Sequence, residues 1–318
     1  MPDTSDLRPP RPARRPESRT HHGHTVEDPY AWLRDAEDPE VLAHLEAENA
    51  WTAASLAHQA PLREAIFGEI RRRTLETDLS VPVREGAWWY VNRTVEGASY
   101  PILCRTPDDG TGARPVADPD AEAVIFDPNL LAGEGEYLGI GVLEVSPDGD
   151  RLAWAVDRAG DERHTLRFRD LTTMEDGAEA IDDVSYGFAW AADSATCWYT
   201  VLDAASRPDR VLRHVVGTDA STDVQVFHEP DERFHLHVAG SRSQAVAVIS
   251  AGSAITSESW LLDTHHPTAA PQLVAEREQG VEYSIAHHPT GLLVVSNHHG
   301  AEDFALWRAP LTGTSVAP

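Results

Sequence analysis

VLEVSPDGDRLAWAVDRAGDERHTLRFRDL, the sequence of Val142–Leu171, contains three runs of alternating apolar residues separated by two polar turns. The first turn, Ser146–Gly149, contains a proline, which fixes φ at the first central turn position, followed by Asp-Gly, which tolerates the remaining conformations. Apolar residues at every second position indicate strands that bury one face. The stretch therefore predicts an antiparallel meander of three strands.

The same order of turn and flanking strands recurs three times further along the chain. The equivalent turn positions are Asp148, Asp193, Ser243 and Thr290, which are spaced by 45, 50 and 47 residues. A repeat of about 40–50 residues built from short strands is typical of a β-propeller blade, a four-stranded sheet that stacks on its neighbours to bury its faces. A β-sandwich also uses short strands, but it does not require this long internal period. We therefore predict a mainly β fold, a partial β-propeller of about five four-stranded blades.

The tryptophans of the repeats alternate within the predicted strands, which predicts packing between blades rather than a ligand cage. They are Trp154, Trp190, Trp198, Trp260 and Trp307. We assign the propeller to residues 79–318, with a first blade lengthened by acidic, proline-containing loops at 108–114 and 118–122. The last residues, Gly313–Pro318, are expected to form a loop.

The N-terminal part of the chain has a different pattern. Residues 1–20 are rich in arginine and proline, which predicts an extended or disordered lead-in. Residues 21–78 form a predicted helical segment with two helices. Asp38-Pro39-Glu40 supplies an N-cap, a proline at the first helical position and an acid in the first turn, and Pro61 opens the second helix. The second helix carries an apolar stripe that needs a partner surface, comprising Leu62, Ile66, Phe67 and Ile70.

Composition limits the partners of this chain. It has 318 residues and a formal net charge of −26, and all 26 basic residues are arginine. This acidity argues against a nucleic acid or an anionic membrane as a partner, and no apolar run has the length of a membrane span. Cys104 and Cys197 have no metal-type spacing and are expected to be free thiols in a reducing compartment. Because the N-terminus also lacks the apolar core of a signal peptide, we expect a cytoplasmic protein.

Candidate catalytic residues are few. The nucleophile of an α/β-hydrolase needs Gly-x-Ser-x-Gly on a strand-to-helix turn, and the 318 residues contain no such motif. The nearest matches are Ser315, which lacks the second glycine, and Ser253, which precedes a predicted strand. Asp161-Glu162-Arg163 is interpreted as a loop ion pair rather than a catalytic dyad. We predict no catalytic residue in this chain.

Two groups of histidines raise the question of a metal site. His21–His24 has the spacing of no standard zinc site and no cysteine nearby. His287-His288 and His298-His299 flank a predicted hairpin, with Glu302 and Asp303 close in sequence. For the second group, histidines exposed in turns are the simpler interpretation. We predict no metal and no cofactor.

The order of motifs along residues 20–312 resembles the prolyl oligopeptidase family of serine peptidases, and within it most closely the oligopeptidase B branch. The motifs in combination are specific, although each of them is short. They are His22-Gly23, Asp28–Asp35, Glu48-Asn49, Tyr100-Pro101, Val142–Asp170, Gly187–Trp190 and Glu282–Ser284.

The resemblance implies a seven-bladed propeller that covers a C-terminal α/β-hydrolase domain with a Ser-Asp-His triad. It also implies that the N-terminal helices pack beside that hydrolase domain, that only short peptides reach the triad, and that cleavage follows Arg or Lys. This sequence differs, because it reaches only about five blades and contains no hydrolase motif. We therefore expect the gating propeller of such a peptidase, inactive alone, with the hydrolase domain as its partner. The alternatives are a stand-alone propeller that acts as an interaction scaffold and a metal-dependent propeller hydrolase of the lactonase type.

Overall fold

The computed structural model of this chain describes residues 8–115, 122–133 and 135–311. The chain divides into two compact units, Met1–Leu75 and Glu76–Pro318. The division lies three residues before the predicted boundary between residues 78 and 79. The predicted loop Gly313–Pro318, with Ser315, lies outside the described residues, and so do the first seven residues of the lead-in.

The first unit begins with a β-hairpin formed by β1, Glu17–His21, and β2, His24–Asp28. Its two-residue turn places His22 at φ 50° and Gly23 at φ 79°, the left-handed conformations that tight hairpin turns use. Residues 17–20 of the predicted extended or disordered lead-in are therefore extended, as part of β1. The reason is the pairing of this segment with residues 24–28, which composition does not reveal.

Two helices follow the hairpin, α1 at Pro39–Leu56 and α2 at Ala60–Arg73. The carboxylate of Asp38 accepts a hydrogen bond of 2.8 Å from the backbone N–H of Glu40, so Asp38 is the N-cap that the sequence indicates. Three arginines end α2, where positive charge interacts favourably with the helix dipole. The apolar side chains of α2 are exposed, among them Leu62, Ile66, Phe67 and Ile70.

The second unit is built almost entirely from strands, which form five consecutive antiparallel meanders within the described residues. Meander A contains β4 Val83–Glu85, β5 Trp88–Thr94, β6 Ile102–Pro107 and β7 Ala123–Phe126, and is preceded by β3, Asp78–Leu79. Meander B contains β8 Gly139–Val145, β9 Arg151–Asp157 and β10 His164–Asp170. Meander C contains β11 Ile181–Trp190, β12 Thr196–Leu202, β13 Pro208–Val215 and β14 Val224–His228.

Meander D contains β15 His235–Gly240, β16 Val246–Gly252, β17 Ser257–Asp263 and β18 Gln272–Leu273, and meander E contains β19 Tyr283–His288, β20 Gly291–Ser296 and β21 Ala305–Ala309. Short 3-10 helices occur in both units, at Ala31–Arg34, Ala57–Gln59, Pro128–Leu130, Ala220–Thr222 and His298–Gly300. The fold of this unit is mainly β, and its successive meanders have the arrangement of a β-propeller.

The four turn positions that define the sequence repeat occupy equivalent places in the structure. Asp148, Asp193, Ser243 and Thr290 each lie in the turn between the first and second strands of meanders B, C, D and E. The turns of meanders B and C also contact each other. The backbone N–H of Asp148 donates a hydrogen bond of 3.1 Å to Ser194 Oγ. The predicted repeat is confirmed.

Strand β11 belongs to two meanders at once. Its first half pairs with β10, through His164 opposite Val184, and its second half pairs with β12, through Trp190 opposite Cys197. Asp183, at φ 59°, marks an irregularity in the first half of the strand. Meander B therefore takes its outer strand from the polypeptide that starts meander C, a departure from the expected independent four-stranded unit.

The apolar core lies between consecutive meanders rather than within one of them. One cluster of buried side chains joins each neighbouring pair, from A and B through to D and E. Trp198, which is fully buried, lies in the cluster between C and D. Burying an aromatic side chain of about 150–250 Å² contributes roughly 4–6 kcal/mol at about 25 cal/mol per Å². The predicted role of the tryptophans in packing between repeats is confirmed.

Candidate functional site

A cavity of about 920 Å³ runs along the first strands of meanders A to D. Its wall contains residues of β4, β8, β11 and β15, together with the turn residues Pro147 and Ser241–Gln244. Strands β11 and β15 run parallel to each other at this place, with Phe188 opposite Ala239. The cavity therefore lies where the inner strands of successive meanders approach one another, which is the position of a propeller axis.

Two glycines leave room at the cavity wall, Gly187 for the next inner strand and Gly141 for the side chain of His164 on β10. A Cβ at Gly187 would lie 2.7 Å from Thr200 Oγ1 and 2.8 Å from the backbone nitrogen of Val238, in the next meander. A Cβ at Gly141 would lie 2.5 Å from the imidazole ring of His164. Any larger residue at either position would push β8 or β11 out of its place in the cavity wall.

Three ionisable side chains at the wall have pKa values that are shifted in the direction of the neutral form. Burial within the cavity raises the pKa of Glu144, and the nearby charge of Glu85 raises it further. Burial lowers the pKa of His237, and it raises the pKa of Tyr186, whose hydroxyl also lies near Glu162. These shifts follow from the cost of holding a charge away from bulk water. The surroundings therefore favour the neutral form of each of these three side chains.

The loop that follows β9 is held by three hydrogen bonds to one carboxylate. The carboxylate of Asp157 accepts hydrogen bonds of 2.7–2.9 Å from the backbone N–H groups of Ala159, Gly160 and Glu162. Burial alone would raise the pKa of Asp157, but these three donors outweigh it and lower the pKa. Asp157 thereby determines the conformation of the loop that carries Glu162.

Arg163, in the same loop, forms an ion pair with a different element. Its guanidinium lies 2.9 Å from Asp183 Oδ1 and donates to the carbonyl oxygen of Asp203. We interpreted Asp161-Glu162-Arg163 as a loop ion pair, but Arg163 pairs with Asp183 on β11 and not with an acidic residue of its own loop. The backbone N–H of Arg163 binds Asp161, while the charge of Arg163 pairs with β11.

The serine and histidine candidates lie apart from one another. Ser253 is in the turn between β16 and β17, where its hydroxyl donates to the carbonyl oxygen of Thr256 over 3.2 Å. His287 Nδ1 lies 2.7 Å from Ser243 Oγ, and His298 Nδ1 lies 3.6 Å from the carboxylate of Glu278. A strand-to-strand turn offers no helix N-terminus beside the serine, so Ser253 lacks the setting of a hydrolase nucleophile.

His21, His22 and His24 are exposed on the hairpin of the first unit. Across residues 8–115, 122–133 and 135–311, no group of three or more His, Cys, Asp or Glu side chains is placed to hold a metal ion. In the same ranges, no helix is long and apolar enough to span a membrane.

Sequence reasoning missed the residues that face the cavity. Glu144, Tyr186 and His237 all lie on first strands, β8, β11 and β15. A signal was present for Glu144, because it is the charged residue within an otherwise apolar run that precedes a turn of the repeat. The first strand of each meander should place side chains at the axis. Polar residues in these strands could therefore have been selected as candidate site residues.

The comparisons with known proteins identify the class of protein that this fold represents. Residues 9–317 match the family model of the prolyl oligopeptidase N-terminal β-propeller domain. The chain belongs to this family.

Curated relatives include dipeptidyl aminopeptidase BI of Pseudoxanthomonas mexicana, which is 35% identical over 96% of this chain and 44% of the relative. They also include protease 2 of Moraxella lacunata, which is 33% identical over 92% of this chain and 42% of the relative. Among solved structures, oligopeptidase B from Leishmania major superposes with a TM-score of 0.86 at 30% identity, over 96% of this chain and 45% of that one. The chain spans less than half the length of these relatives.

Proposed function

We propose that this chain is the propeller part of a serine-type endopeptidase of the oligopeptidase B kind, and that its cavity limits access to short peptides. The observation that carries the proposal is the cavity of about 920 Å³ lined by the inner strands, in a chain that is related over its length to peptidases more than twice as long. In this proposal, meanders A to E are five blades of the propeller. A peptide in extended conformation fits such a space, whereas a folded domain does not.

The proposed partner is the family's hydrolase domain, on the same or a separate chain. Helix α2 supports this part of the proposal, because Leu62, Phe67 and Ile70 are each at least 60% exposed. Together with Leu56 and Ile66 they line a mainly apolar groove of about 380 Å³. Exposed apolar patches of this kind mark interaction surfaces.

The proposed substrates are short peptides that are cleaved after Arg or Lys. The net charge of −26 supports this, because an acidic protein attracts cationic peptides. The chain alone is proposed to be inactive, since its 318 residues contain no Gly-x-Ser-x-Gly motif. A cytoplasmic location is part of the proposal and is supported by two cysteines, Cys104 and Cys197, that are buried as free thiols.

The proposal is tested with a fusion protein. The 318-residue chain replaces the corresponding part of Moraxella lacunata protease 2, and turnover of an Arg-containing chromogenic peptide is measured for the chain alone and for the fusion. We expect turnover only by the fusion, and we expect it to cleave short peptides but not a folded protein that contains Arg.

Two variants of the fusion examine the partner surface. The double substitution I66E/F67E should reduce turnover at least tenfold, because it places two charges in the apolar groove. The matched control L130E also adds a charge at an exposed apolar position, but outside α2, and should leave turnover within twofold. A folded fusion without turnover, or turnover by the chain alone, would contradict the proposal.

A further inference from the structure

The first unit of this chain has almost no apolar core of its own. Across its described residues, 8–75, the buried apolar side chains are Ala31 in a 3-10 helix and Val41 on α1. None of the 14 residues of α2 is buried. Folding requires that the burial of apolar surface offsets the conformational entropy that is lost when each residue is fixed. The first unit does not provide that burial from its own side chains.

The secondary structure of the unit is also too small to be stable alone. Isolated helices of about 12–15 residues are marginal in water, and most helical stability in proteins comes from the packing of an apolar face. Helix α1 has 18 residues and α2 has 14. The hairpin of β1 and β2 is a separate two-stranded sheet whose residues are exposed except for the half-buried Asp28, and such a hairpin is marginally stable at best. The unit therefore needs a surface that it does not contain.

The side chains that such a surface would cover are exposed on both helices. On α1 they are the half-exposed leucines Leu42, Leu45 and Leu56, and on α2 they are the residues of the apolar groove described above. Leu56 belongs to both sets, because it ends α1 and also lines the groove of α2. The exposed apolar surfaces of the two helices therefore meet at Leu56, and one partner surface can cover them together.

The family's hydrolase domain is the partner for which the comparisons leave room, and this step rests on the proposed function. The family model includes the first unit, because it matches residues 9–317. The chain aligns over 96% of its own length with dipeptidyl aminopeptidase BI of Pseudoxanthomonas mexicana, but over 44% of that relative. More than half of the relative's length is therefore left to supply a covering surface.

We propose that residues 39–73 are an assembly-dependent segment, unfolded in the chain alone and folded into α1 and α2 when the hydrolase domain covers their apolar side chains. Part of the interaction free energy then orders the segment, as in other proteins that fold on binding. The N-cap at Asp38 favours the helical conformation, but it does not replace the missing burial. The order of this segment therefore depends on whether both parts of the peptidase are present.

Hydrogen exchange measured by mass spectrometry tests the proposal on the 318-residue chain and on the fusion with Moraxella lacunata protease 2. In the chain alone, peptides from residues 39–73 should exchange within about tenfold of the rate of an unfolded peptide, and in the fusion they should exchange about 100-fold more slowly. Peptides from β12, Thr196–Leu202, are the control, because every residue of this strand is buried. They should be protected in both proteins.

The groove variants of the fusion connect the protection to the proposed surface. I66E/F67E should return the exchange of residues 60–73 toward the rate in the chain alone, because two charges oppose burial of the groove. L130E should leave this exchange within about twofold of the unmodified fusion, since Leu130 lies outside the two helices. Equal protection of residues 60–73 in I66E/F67E and L130E would overturn the proposed docking surface.

Three results for the unmodified proteins would also overturn the proposal. They are slow exchange of residues 39–73 in the chain alone, slow exchange that appears only as the concentration of the chain rises, and fast exchange in the fusion. The second result would identify another copy of the chain as the occupant. Turnover of the chromogenic peptide is read separately. A fusion with turnover but fast exchange of residues 39–73 would refute this inference alone, whereas a fusion with protected helices but no turnover would refute the proposed function alone.

Discussion

Substitution of Gly187 by alanine tests how closely the inner strands of meanders C and D approach each other at the cavity wall. The added Cβ would lie 2.7 Å from Thr200 Oγ1 and 2.8 Å from both Thr200 Cγ2 and the backbone nitrogen of Val238. Thr200 is fully buried, and its hydroxyl accepts a hydrogen bond of 3.1 Å from the backbone N–H of Gly187. Neither the threonine side chain nor the backbone of the next inner strand can move without disturbing a packed junction.

The magnitude follows from three contributions. Overpacking costs about 1–3 kcal/mol, loss of the bond between Gly187 and Thr200 costs about 0.5–1.5 kcal/mol, and the smaller entropy of the unfolded chain returns about 0.4–1 kcal/mol. We expect G187A to lower the free energy of unfolding by about 2 kcal/mol, within a range of about 0.5–4 kcal/mol, measured by equilibrium urea unfolding with tryptophan fluorescence, with an unchanged dependence on urea.

Gly252 provides the matched control, because it is also in a strand and an added Cβ there meets no atom within 4 Å. G252A should remain within about 0.5 kcal/mol of the wild-type chain. A G187A protein that is as stable as G252A would refute the close approach of the inner strands of meanders C and D, and with it the propeller axis at this place.

Three further predictions concern charge and capping. D157N should lower the free energy of unfolding by about 1–3 kcal/mol at pH 7. The pKa of Asp157 is lowered in the folded state, so the difference in stability between D157N and the wild-type chain should shrink as pH falls below about 4. Urea unfolding at several pH values measures this difference. A D157N protein with the wild-type stability at pH 7 would contradict this role. Raising NaCl from about 0.05 to 1 M should raise the melting temperature, since salt screens the repulsion that a net charge of −26 creates, and a falling melting temperature would contradict it. D38A should cost about 1 kcal/mol and reduce the helical circular dichroism signal, whereas E37A, one residue earlier, should not.

Local sequence predicted the parts of the fold that depend on neighbouring residues. The turns at Asp148, Asp193, Ser243 and Thr290 were recoverable because turn chemistry and strand alternation act over a few residues. The N-cap at Asp38 was recoverable for the same reason, since its carboxylate binds an N–H only two residues away. These signals, repeated at a regular spacing, were enough to predict stacked meanders.

Contacts between distant residues could not be predicted in this way. The hairpin of residues 17–28 depends on cross-strand pairing that the Arg- and Pro-rich composition conceals. The pairing of Arg163 with Asp183 depends on how consecutive meanders stack. The cavity residues Glu144, Tyr186 and His237 were missed because a strand pattern shows which residues share a face, but not which face points toward the axis.

The shared strand β11 limits how this polypeptide can be divided in the laboratory. A break placed within residues 181–190 would remove the outer strand of one sheet and the inner strand of the next, so neither fragment could complete both. A break within residues 229–234, between β14 and β15, keeps all four strands of meander C on one fragment, although it separates β11 from its parallel neighbour β15. Split reporters and circularly permuted versions of this chain should therefore take their new termini there.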